Sequence, residues 1–463
     1  MRKMAELNLN EIINFVNGKL IQGDLSSRFK KFCIDSRLIE GGELFFAIKG
    51  RRDGHEFVND AFEKGAKGAI ISENVITKYK DRAIVFVSDT LKALQELGKN
   101  VVSIYRPKII GITGSAGKTT VKEFTAEILK SSFEVLKAEK NYNNHLGVPL
   151  TLLKLERNHE IAVLEMGMSS RGEIRRLTEI APPDISVITN INPVHLQFFS
   201  SLEEIALAKK EILEGTRQNG VAILNFDDPL VIKISEDFNG EKIYFGLKPG
   251  AFVRAENIEF KGFNGIYFDL IYGEQKERVN FKLLSISYLY DLLAALGVAF
   301  FMDIKLENIK EIISQLKPAS MRGEIIRLKK SITIINDSYN SNPKALEFAL
   351  KDYSHLPAKR KIAVLGDMLE LGKDSPYFHF RAGEKVVDFG YDYLITVGKE
   401  SEKMLDGALS KGMGNNNLFN FEDSEKAGEF LAEFIKEGDL ILIKGSRGIK
   451  MEKIIDKLKE IGE

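Results

Sequence analysis

Residues 109–120 read Ile109-Ile110-Gly111-Ile112-Thr113-Gly114-Ser115-Ala116-Gly117-Lys118-Thr119-Thr120. An apolar run, a glycine-rich loop and a helical pattern in this order predict a strand, a turn and a helix whose N-terminal N–H groups bind phosphate. Lys118 is expected to reach the terminal phosphates of a nucleotide, and Thr119 to ligate Mg²⁺. The pattern G-x-x-x-x-G-K-[ST] requires glycine at position 112, so the loop is a variant. The alternative is a glycine-rich turn that caps an ordinary helix.

Outward from this loop, short β-type runs alternate with amphipathic helical patterns, which is typical of parallel α/β layers. The candidate strands are Ala83–Val87, Ile109–Thr113, Ile161–Glu165, Ile185–Thr189, Val221–Asn225, Ile332–Asn336, Ile362–Gly366, Tyr393–Val397 and Leu440–Lys444. The apolar stretch from Leu292 to Met302 is too short to cross a bilayer and predicts a buried helix. Residues 242–284 have closely spaced apolar residues and glycine-containing turns, and predict a small β-rich excursion.

Two proline-containing junctions divide the chain. Arg106-Pro107 precedes the Ile109 strand, and Lys317-Pro318 follows a helix and precedes a new strand-helix series. Because 463 residues exceed one ordinary hydrophobic core, we expect three domains, 1–106, 107–317 and 318–463. The fold class is therefore α/β, with a P-loop-type parallel sheet in the centre.

Composition narrows the class of protein. The 66 basic and 66 acidic residues cancel, which argues against a nucleic-acid partner. Cys33 is the single cysteine, so neither a disulfide framework nor a cysteine metal cluster is expected. The N-terminal residues lack the apolar core of a signal peptide, which predicts a cytoplasmic protein without membrane insertion.

Polar residues follow two of the candidate strands. Glu165 ends the strand 161–165, at the edge where ligands gather in open α/β sheets, and a carboxylate there suits Mg²⁺. A solvated glutamate at a strand end is the alternative. His195 follows the strand 185–189, where a structural hydrogen-bonding role is the commoner one for a lone histidine. Lys209 lies on a helical pattern, and the pattern alone predicts a surface lysine.

Several motifs together resemble the Mur ligase family. The central motifs are Gly114–Thr120, Asn141–Pro149, Glu165–Gly167, Thr189–Ile191 with His195, and Ala208–Ile212. Those near the N-terminus are Asp35–Arg37, Gly42–Ala47 and Gly50–His55, which resemble a UDP-sugar-binding domain. Those of the last third are Asn336–Pro343, Gly366–Gly372 and Lys444–Arg447, which resemble the members that add D-alanyl-D-alanine.

The resemblance implies a set of roles for these positions. ATP would be bound by Gly114, Ser115, Ala116, Gly117, Lys118, Thr119 and Thr120, and from a Rossmann-like third domain by Arg322, Asp337, Tyr339 and Asn340. Mg²⁺ would be held by Thr119, Glu165, His195 and Lys209, the last as a carbamate. The catalytic residues would be Lys118, Lys209, His195 and Arg322. The substrate-binding residues would be Ser36, Arg37, Asp53, His55, Asn141, Asn143, Asn144, Lys444 and Ser446.

The implied reaction joins D-alanyl-D-alanine to UDP-N-acetylmuramoyl-tripeptide through an acyl phosphate, with ATP as the phosphoryl donor. The family suggests a monomer whose third domain swings about a hinge near Lys317-Pro318. The alternatives are a sister ligase that adds one amino acid, a folyl-polyglutamate-type enzyme, and a P-loop nucleotide switch or kinase.

Two positions depart from the family pattern. The run Ser285-Ile-Ser287-Tyr288-Leu-Tyr-Asp291 replaces the usual G-x-H-N…N, so the adenine-facing asparagine is absent. Ser341 stands where alanine is common. The first departure predicts altered purine recognition.

Overall fold

The computed structural model describes residues 6–139, 141–193 and 198–462. Among them there are four sheets, and helices cover the three larger ones, which follow one another along the chain. None of the described helices is both long enough and apolar enough to span a membrane.

The N-terminal part has a two-stranded sheet and a five-stranded sheet of order β2-β7-β6-β5-β4, parallel except at β2. Its elements are β1 (Leu7–Asn8), α1 (Leu9–Val16), β2 (Lys19–Gln22), β3 (Arg28–Phe29), β4 (Phe32–Cys33), β5 (Leu44–Phe46), α2 (Val58–Glu63), β6 (Gly68–Ile71), β7 (Ala83–Phe86) and α3 (Thr90–Tyr105). Helix α3 also packs on the central part, because Gly98 lets it approach Pro149 closely.

The central part is built on a nine-stranded sheet of order β16-β15-β14-β13-β12-β11-β8-β10-β9, in which the pairs β14-β15 and β15-β16 are antiparallel. Its strands are β8 (Lys108–Thr113), β9 (Val135–Lys137), β10 (Ile161–Glu165), β11 (Ile185–Ile188), β12 (Val221–Asn225), β13 (Glu241–Gly246), β14 (Val253–Phe260), β15 (Ile266–Tyr272) and β16 (Gln275–Phe281). Its helices are α4 (Lys118–Leu129), α5 (Gly147–Leu152), α6 (Glu173–Ile180), α7 (Leu202–Glu214), α8 (Pro229–Ile234), α9 (Ile286–Phe301) and α10 (Leu306–Gln315).

The C-terminal part has a six-stranded sheet of order β17-β18-β22-β19-β20-β21, parallel except at β17. Its strands are β17 (Glu324–Arg327), β18 (Thr333–Asp337), β19 (Arg360–Gly366), β20 (Tyr393–Val397), β21 (Leu418–Phe421) and β22 (Asp439–Lys444). Its helices are α11 (Pro343–Ser354), α12 (Ser375–Asp388), α13 (Lys403–Ser410), α14 (Ser424–Phe434) and α15 (Glu452–Gly462).

The structure confirms the predicted α/β class and corrects one detail. Residues 242–284 do not form a separate excursion, since β13 pairs in parallel with β12 and β14 to β16 extend the same sheet. The closely spaced apolar residues bury one face of these strands against α9, as Phe245 and Phe268 do. The expected buried helix is present as α9, in which Leu292 to Ala299 are all buried.

The predicted junctions fall between sheets. The five-stranded sheet ends at Phe86 and the nine-stranded sheet begins at Lys108, with α3 between them. The nine-stranded sheet ends at Phe281, and the next sheet begins at Glu324. The division into domains 1–106, 107–317 and 318–463 stays a prediction.

Candidate active site

The loop between β8 and α4 depends on two glycines. Gly114 has φ +149°, and a Cβ there would lie 1.8 Å from Thr189 Oγ1. Gly117 has φ +83°, and a Cβ there would lie 2.2 Å from Asp291 Oδ1. Both positions therefore require glycine, for backbone conformation and for space. Ile112, which breaks the strict motif, is buried within β8 and contributes to the core.

Neighbouring strands fix the loop. β8 lies between β11 and β10, where the strand order reverses, and this is the point at which α/β sheets bind ligands. Ala116 N donates to Asn190 Oδ1 over 2.9 Å, and Thr189 Oγ1 donates to the Ala116 carbonyl over 2.5 Å. Ser115 Oγ donates to the Asn192 carbonyl over 3.1 Å. The end of β11 therefore holds the loop in a fixed shape.

Thr119 and Glu165 meet at the N-terminus of α4. Thr119 Oγ1 donates to Glu165 Oε2 over 2.8 Å, and Asn143 Nδ2 donates to Glu165 Oε1 over 2.8 Å. Lys118 Nζ donates to the Gly114 carbonyl over 2.9 Å. Burial lowers the pKa of Lys118, although Glu165 opposes that effect. The loop thus presents one cation beside one buried carboxylate.

Lys209 is not a surface residue. Its side chain on α7 is buried, with 2% exposure. Burial and the positive charge of Lys118 bring its pKa well below the usual lysine value. The helical pattern misled because the residue faces the sheet rather than solvent. Within residues 6–139, 141–193 and 198–462, no carboxylate is hydrogen-bonded to it. His195 lies outside the described residues.

Arg322 reaches this loop from the segment that follows α10. Its Nη2 donates to Thr119 Oγ1 over 3.3 Å, and its guanidinium carbon lies 4.1 Å from the centre of the Tyr339 ring. Lys444 Nζ donates to Asp337 Oδ2 over 2.7 Å and to the Asn340 carbonyl over 2.9 Å. The loop after β18 therefore brings its predicted ATP-binding residues to the face opposite α4.

A cavity of about 670 Å³ lies between these two faces. Most of the predicted nucleotide-binding residues line it, together with Asn141, Asn143, Glu165 and Lys444. Its wall also includes residues that the sequence analysis did not select: Asn225, Asp227, Asp228, Pro229, Leu230, Phe245, Tyr290, Asn342 and Lys344. The run Asn225-Phe-Asp-Asp228 begins at the last residue of β12, so the strand-end argument applied to Glu165 would have found it.

Asp291 belongs to the run 285–291 that departs from the family pattern, and it lines the cavity. Its carboxylate lies against Gly117 at the start of α4. It is buried, with 6% exposure, and burial raises its pKa well above the usual value despite Arg322 and Thr120. Its contact is therefore with the phosphate-binding loop.

Predicted substrate-binding residues outside the cavity have internal partners. Arg37 pairs with Asp35 through two nitrogens, and His55 Nδ1 lies 2.5 Å from Asp53 Oδ1. Ser36 is buried near the start of its 3₁₀ turn. These residues lie at two 3₁₀ turns of the N-terminal part, Ser36–Leu38 and Gly54–Phe57, and do not line the cavity. Their role in binding a substrate stays a prediction.

Two further predicted residues stabilise loops. Asn144 Oδ1 accepts hydrogen bonds from Leu146 N and Gly147 N at the start of α5. Ser446 Oγ accepts from Leu369 N over 2.9 Å and donates to the Ser341 carbonyl over 3.4 Å. Neither side chain lines the cavity.

The chain matches three family models that cover most of its length. They are described as the Mur ligase family catalytic domain (residues 29–128), the Mur ligase middle domain (112–299) and the Mur ligase glutamate ligase domain (321–447).

Relatives and solved structures match over nearly the whole chain. UDP-N-acetylmuramoyl-tripeptide–D-alanyl-D-alanine ligase from Bacillus subtilis is 35% identical over 92% of both chains. The protein of that name from Escherichia coli is 31% identical over 99% of this chain and 100% of its own. The MurF crystal structure from Acinetobacter baumannii is 29% identical, with TM-score 0.90 over 99% of both chains. Thermotoga maritima MurF ligase, solved with ADP, is 28% identical, with TM-score 0.82 over 93% of this chain and 97% of its own.

Sequence, fold and the loop that joins Lys118, Thr119 and Glu165 lead to one assignment, and this chain belongs to the Mur ligase family.

Proposed function

We propose that this chain is an ATP-dependent ligase that joins D-alanyl-D-alanine to UDP-N-acetylmuramoyl-tripeptide, with ADP and phosphate as products. The observation that carries the proposal is the cavity of about 670 Å³ that is lined by Lys118, Thr119 and Arg322, with Arg322 hydrogen-bonded to Thr119. The relatives that match over the whole chain bear the name of this activity. The structure solved with ADP supports ATP as the nucleotide substrate.

The first step transfers a phosphoryl group. An oxygen of the tripeptide carboxylate attacks the γ-phosphorus, the bond from that phosphorus to the bridging oxygen breaks, and ADP leaves. Lys118 and Arg322 are the cations on the two sides of the cavity, and they offset negative charge as it moves to the leaving group. The product is an acyl phosphate held inside the cavity.

The second step forms the amide. The neutral amine of D-alanyl-D-alanine attacks the acyl carbon, the bond from carbon to the phosphate oxygen breaks, and the amine loses one proton. Asn141 and Asn143 lie on the cavity wall beside Glu165, which supports a role for them near the peptide end of the acceptor. We assign the UDP end to Ser36, Arg37, Asp53 and His55, and the dipeptide to the side of Lys444 and Ser446.

The donor set fits Mg²⁺. Thr119 Oγ1 and Glu165 Oε2 are hard oxygen donors 2.8 Å apart at the start of α4, next to where phosphate oxygens would lie. When bound, the ion supplies positive charge to the phosphate oxygens. We assign Thr119, Glu165, His195 and Lys209 as the residues that hold it.

Lys209 joins this set only after modification. A buried amine with a lowered pKa is neutral more often than a surface lysine, so its nitrogen can attack CO₂ and release one proton. The resulting carbamate is an anion next to Lys118, and it offsets the repulsion between the two lysines. We propose that Lys209 functions as this carbamate.

We also propose that the enzyme acts as a monomer in the cytoplasm. The walls of the cavity come from the central and C-terminal parts of this chain, which supports a monomer. An ATP-dependent reaction on a UDP-linked precursor favours the compartment that holds both nucleotides.

The test measures phosphate release with purified protein, ATP, Mg²⁺ and UDP-muramoyl-tripeptide that carries either lysine or diaminopimelate. Separate reactions receive D-alanyl-D-alanine, D-alanine or other single amino acids, and mass spectrometry identifies the product. We expect phosphate and UDP-muramoyl-pentapeptide only when the dipeptide is present. Lys118→Ala serves as the inactive control.

Other outcomes reassign the chain. Turnover with a single amino acid would make it a sister ligase of the same family. ATP hydrolysis that needs neither peptide nor amine would support a nucleotide switch or plain ATPase and overturn the proposal.

A further inference from the structure

Arg322 is held at both ends. Its guanidinium donates to Thr119 Oγ1, as described above, while its backbone carbonyl accepts a hydrogen bond from the Tyr288 hydroxyl. Tyr288 lies on α9, in the first turns of the helix, and only 8% of it is exposed. Tyr288, in the central part, therefore fixes the main chain at Arg322, which precedes the first strand of the C-terminal part.

A second tyrosine supports the first. Tyr353, on α11, is buried with 2% exposure. A Cβ on Gly323 would lie 2.3 Å from the hydroxyl oxygens of both Tyr288 and Tyr353, and Gly323 has φ +65°. The two hydroxyls therefore press against the peptide that follows Arg322, at a position where only glycine leaves room for them.

Helices α9 and α11 are fixed to each other next to this pair. Asp352 Oδ2 accepts from Ser285 Oγ over 2.5 Å and from Ile286 N over 2.9 Å. Asp352 precedes Tyr353, and Ser285 is the N-cap residue of α9, which carries Tyr288 one turn later. A change in the relative position of the two tyrosines would consequently break the buried, charge-assisted contact of Asp352 with Ser285 and Ile286.

The same helix also reaches the phosphate-binding loop. Asp291 lies one turn after Tyr288 on α9 and contacts Gly117. Helix α9 thus contacts both the start of α4 and the main chain of Arg322, and it sets the distance between the two cationic sides of the cavity.

We infer that Tyr288, supported by Tyr353, is a positioning residue for phosphoryl transfer: its hydroxyl holds the Arg322 main chain so that the guanidinium meets the transferring phosphate. This inference rests on the proposed function. The loop 114–120 supplies the N–H groups and the lysine that bind phosphate, whereas the Arg322 cation beside Thr119 is placed to offset charge that develops during transfer. Loss of the hydroxyl should therefore slow the step more than it weakens binding.

The variant Tyr288→Phe removes the hydroxyl and keeps the ring. We expect kcat for dipeptide-dependent phosphate release to fall about tenfold, with the KM for ATP changed less than about twofold. Tyr353→Phe should give a smaller fall in the same direction, because it acts through Tyr288.

Tyr391→Phe is the matched control. Tyr391 is a buried tyrosine with 4% exposure, and its hydroxyl donates over 3.2 Å to the carbonyl of Leu350 on α11. The Tyr391→Phe variant removes the same hydroxyl group from the same part of the fold. Tyr391 contacts neither Arg322 nor the cavity. We expect a lower melting temperature with kcat unchanged, which separates positioning from stability.

A double-mutant cycle tests whether Tyr288 acts through Arg322. If Tyr288 acts through Arg322, the variant Tyr288→Phe combined with Arg322→Lys should be no slower than Arg322→Lys alone. The inference would be overturned if the losses of kcat multiplied in the double variant, or if Tyr288→Phe and Tyr391→Phe had equal kcat. In either case, dipeptide-dependent turnover by the wild type would still support the proposed function. Absence of wild-type turnover with the dipeptide would instead overturn the proposed function, and this inference with it.

Discussion

Glu165 Oε2 accepts a hydrogen bond from Thr119 Oγ1 over 2.8 Å, so the last residue of β10 and the second residue of α4 share one contact. The opposite oxygen of Glu165 accepts from Asn143. One buried carboxylate therefore links the phosphate-binding helix to the loop that carries the asparagines of the cavity wall. Removal of its charge should affect both.

Glu165→Gln should lower kcat for phosphate release at least about a hundredfold and raise the Mg²⁺ concentration needed for half-maximal rate. The amide loses the negative charge that a divalent ion requires. A Mg²⁺ titration of the initial rate measures both effects. Glu43→Gln is the control, because Glu43 is also buried and accepts two backbone hydrogen bonds, but on the N-terminal sheet. An unchanged Mg²⁺ dependence in Glu165→Gln would contradict the assignment of Glu165 as a ligand.

Lys209→Ala should abolish turnover, and short carboxylates added to the reaction should restore part of it. The small anion can enter the space of the carbamate and supply its negative charge. Lys210→Ala should keep its activity, since Lys210 is the neighbouring lysine and pairs with Asp237 instead. Carbon-13 NMR of the wild type in labelled bicarbonate should show a carbamate signal that is absent from Lys209→Ala. Full activity of Lys209→Ala without added carboxylate would contradict the proposed carbamate.

Gly117→Ala should weaken nucleotide binding at least about tenfold, because the new Cβ would strike the Asp291 carboxylate in addition to its backbone strain. Gly172→Ala is the control for the same substitution at a helix start that does not line the cavity. Gly172 also precedes a helix and has φ +88°, but no atom of the described residues lies within 4 Å of its Cβ position. Calorimetric titration with ATP should therefore give near wild-type affinity for Gly172→Ala. Equal losses in both variants would assign the effect to backbone strain alone.

Asp352→Asn should change how stability depends on pH. Burial raises the pKa of Asp352 to about 6, and hydrogen bonds from Ser285 and Ile286 only partly oppose that shift. Because the pKa is raised in the folded state, the stabilisation is complete below the unfolded value of about 3.9 and is lost as pH rises through about 6. The asparagine stays neutral, so its stability relative to the wild type should increase over this window, by up to roughly 3 kcal/mol.

Melting temperatures of both proteins between about pH 4.5 and pH 7.5 measure this difference. Other titrating groups affect the two proteins alike, so only the separation between the curves counts. Parallel curves would show that Asp352 titrates near its ordinary value.

Much of the fold could be predicted from local patterns. Strands such as Ile161–Glu165, Val221–Asn225 and Tyr393–Val397 have the predicted bounds, because buried parallel strands are apolar runs with polar ends. The loop 114–120 was predictable for a related reason, since its glycines and Lys118 are adjacent in sequence. The strands of residues 242–284 were also predictable, but not their continuation of the central sheet, which depends on pairing with distant segments.

The site was less predictable wherever its parts meet only in three dimensions. A helical pattern does not reveal that Lys209 faces another lysine, nor that Asp291 faces Gly117. The residues of the N-terminal motifs were selected by resemblance, and their contacts in the structure are with one another and with Lys64 and Ser72. The Tyr288 contact with Arg322 had no signal in the sequence, because it joins positions far apart in the chain.

The N-terminus of α9 is completed by a residue 66 positions later, since Ile286 N donates to Asp352. The central part therefore does not itself supply the acceptor for the Ile286 N–H or for the Ser285 hydroxyl at the start of α9. A fragment that stops before α11 would leave an N–H group and a serine hydroxyl of α9 without their acceptor, in a helix that also braces the phosphate-binding loop. During synthesis, α9 would reach its final position beside the loop only after α11 had emerged and docked. Nucleotide binding by a nascent or truncated chain should accordingly be weak until that last contact forms.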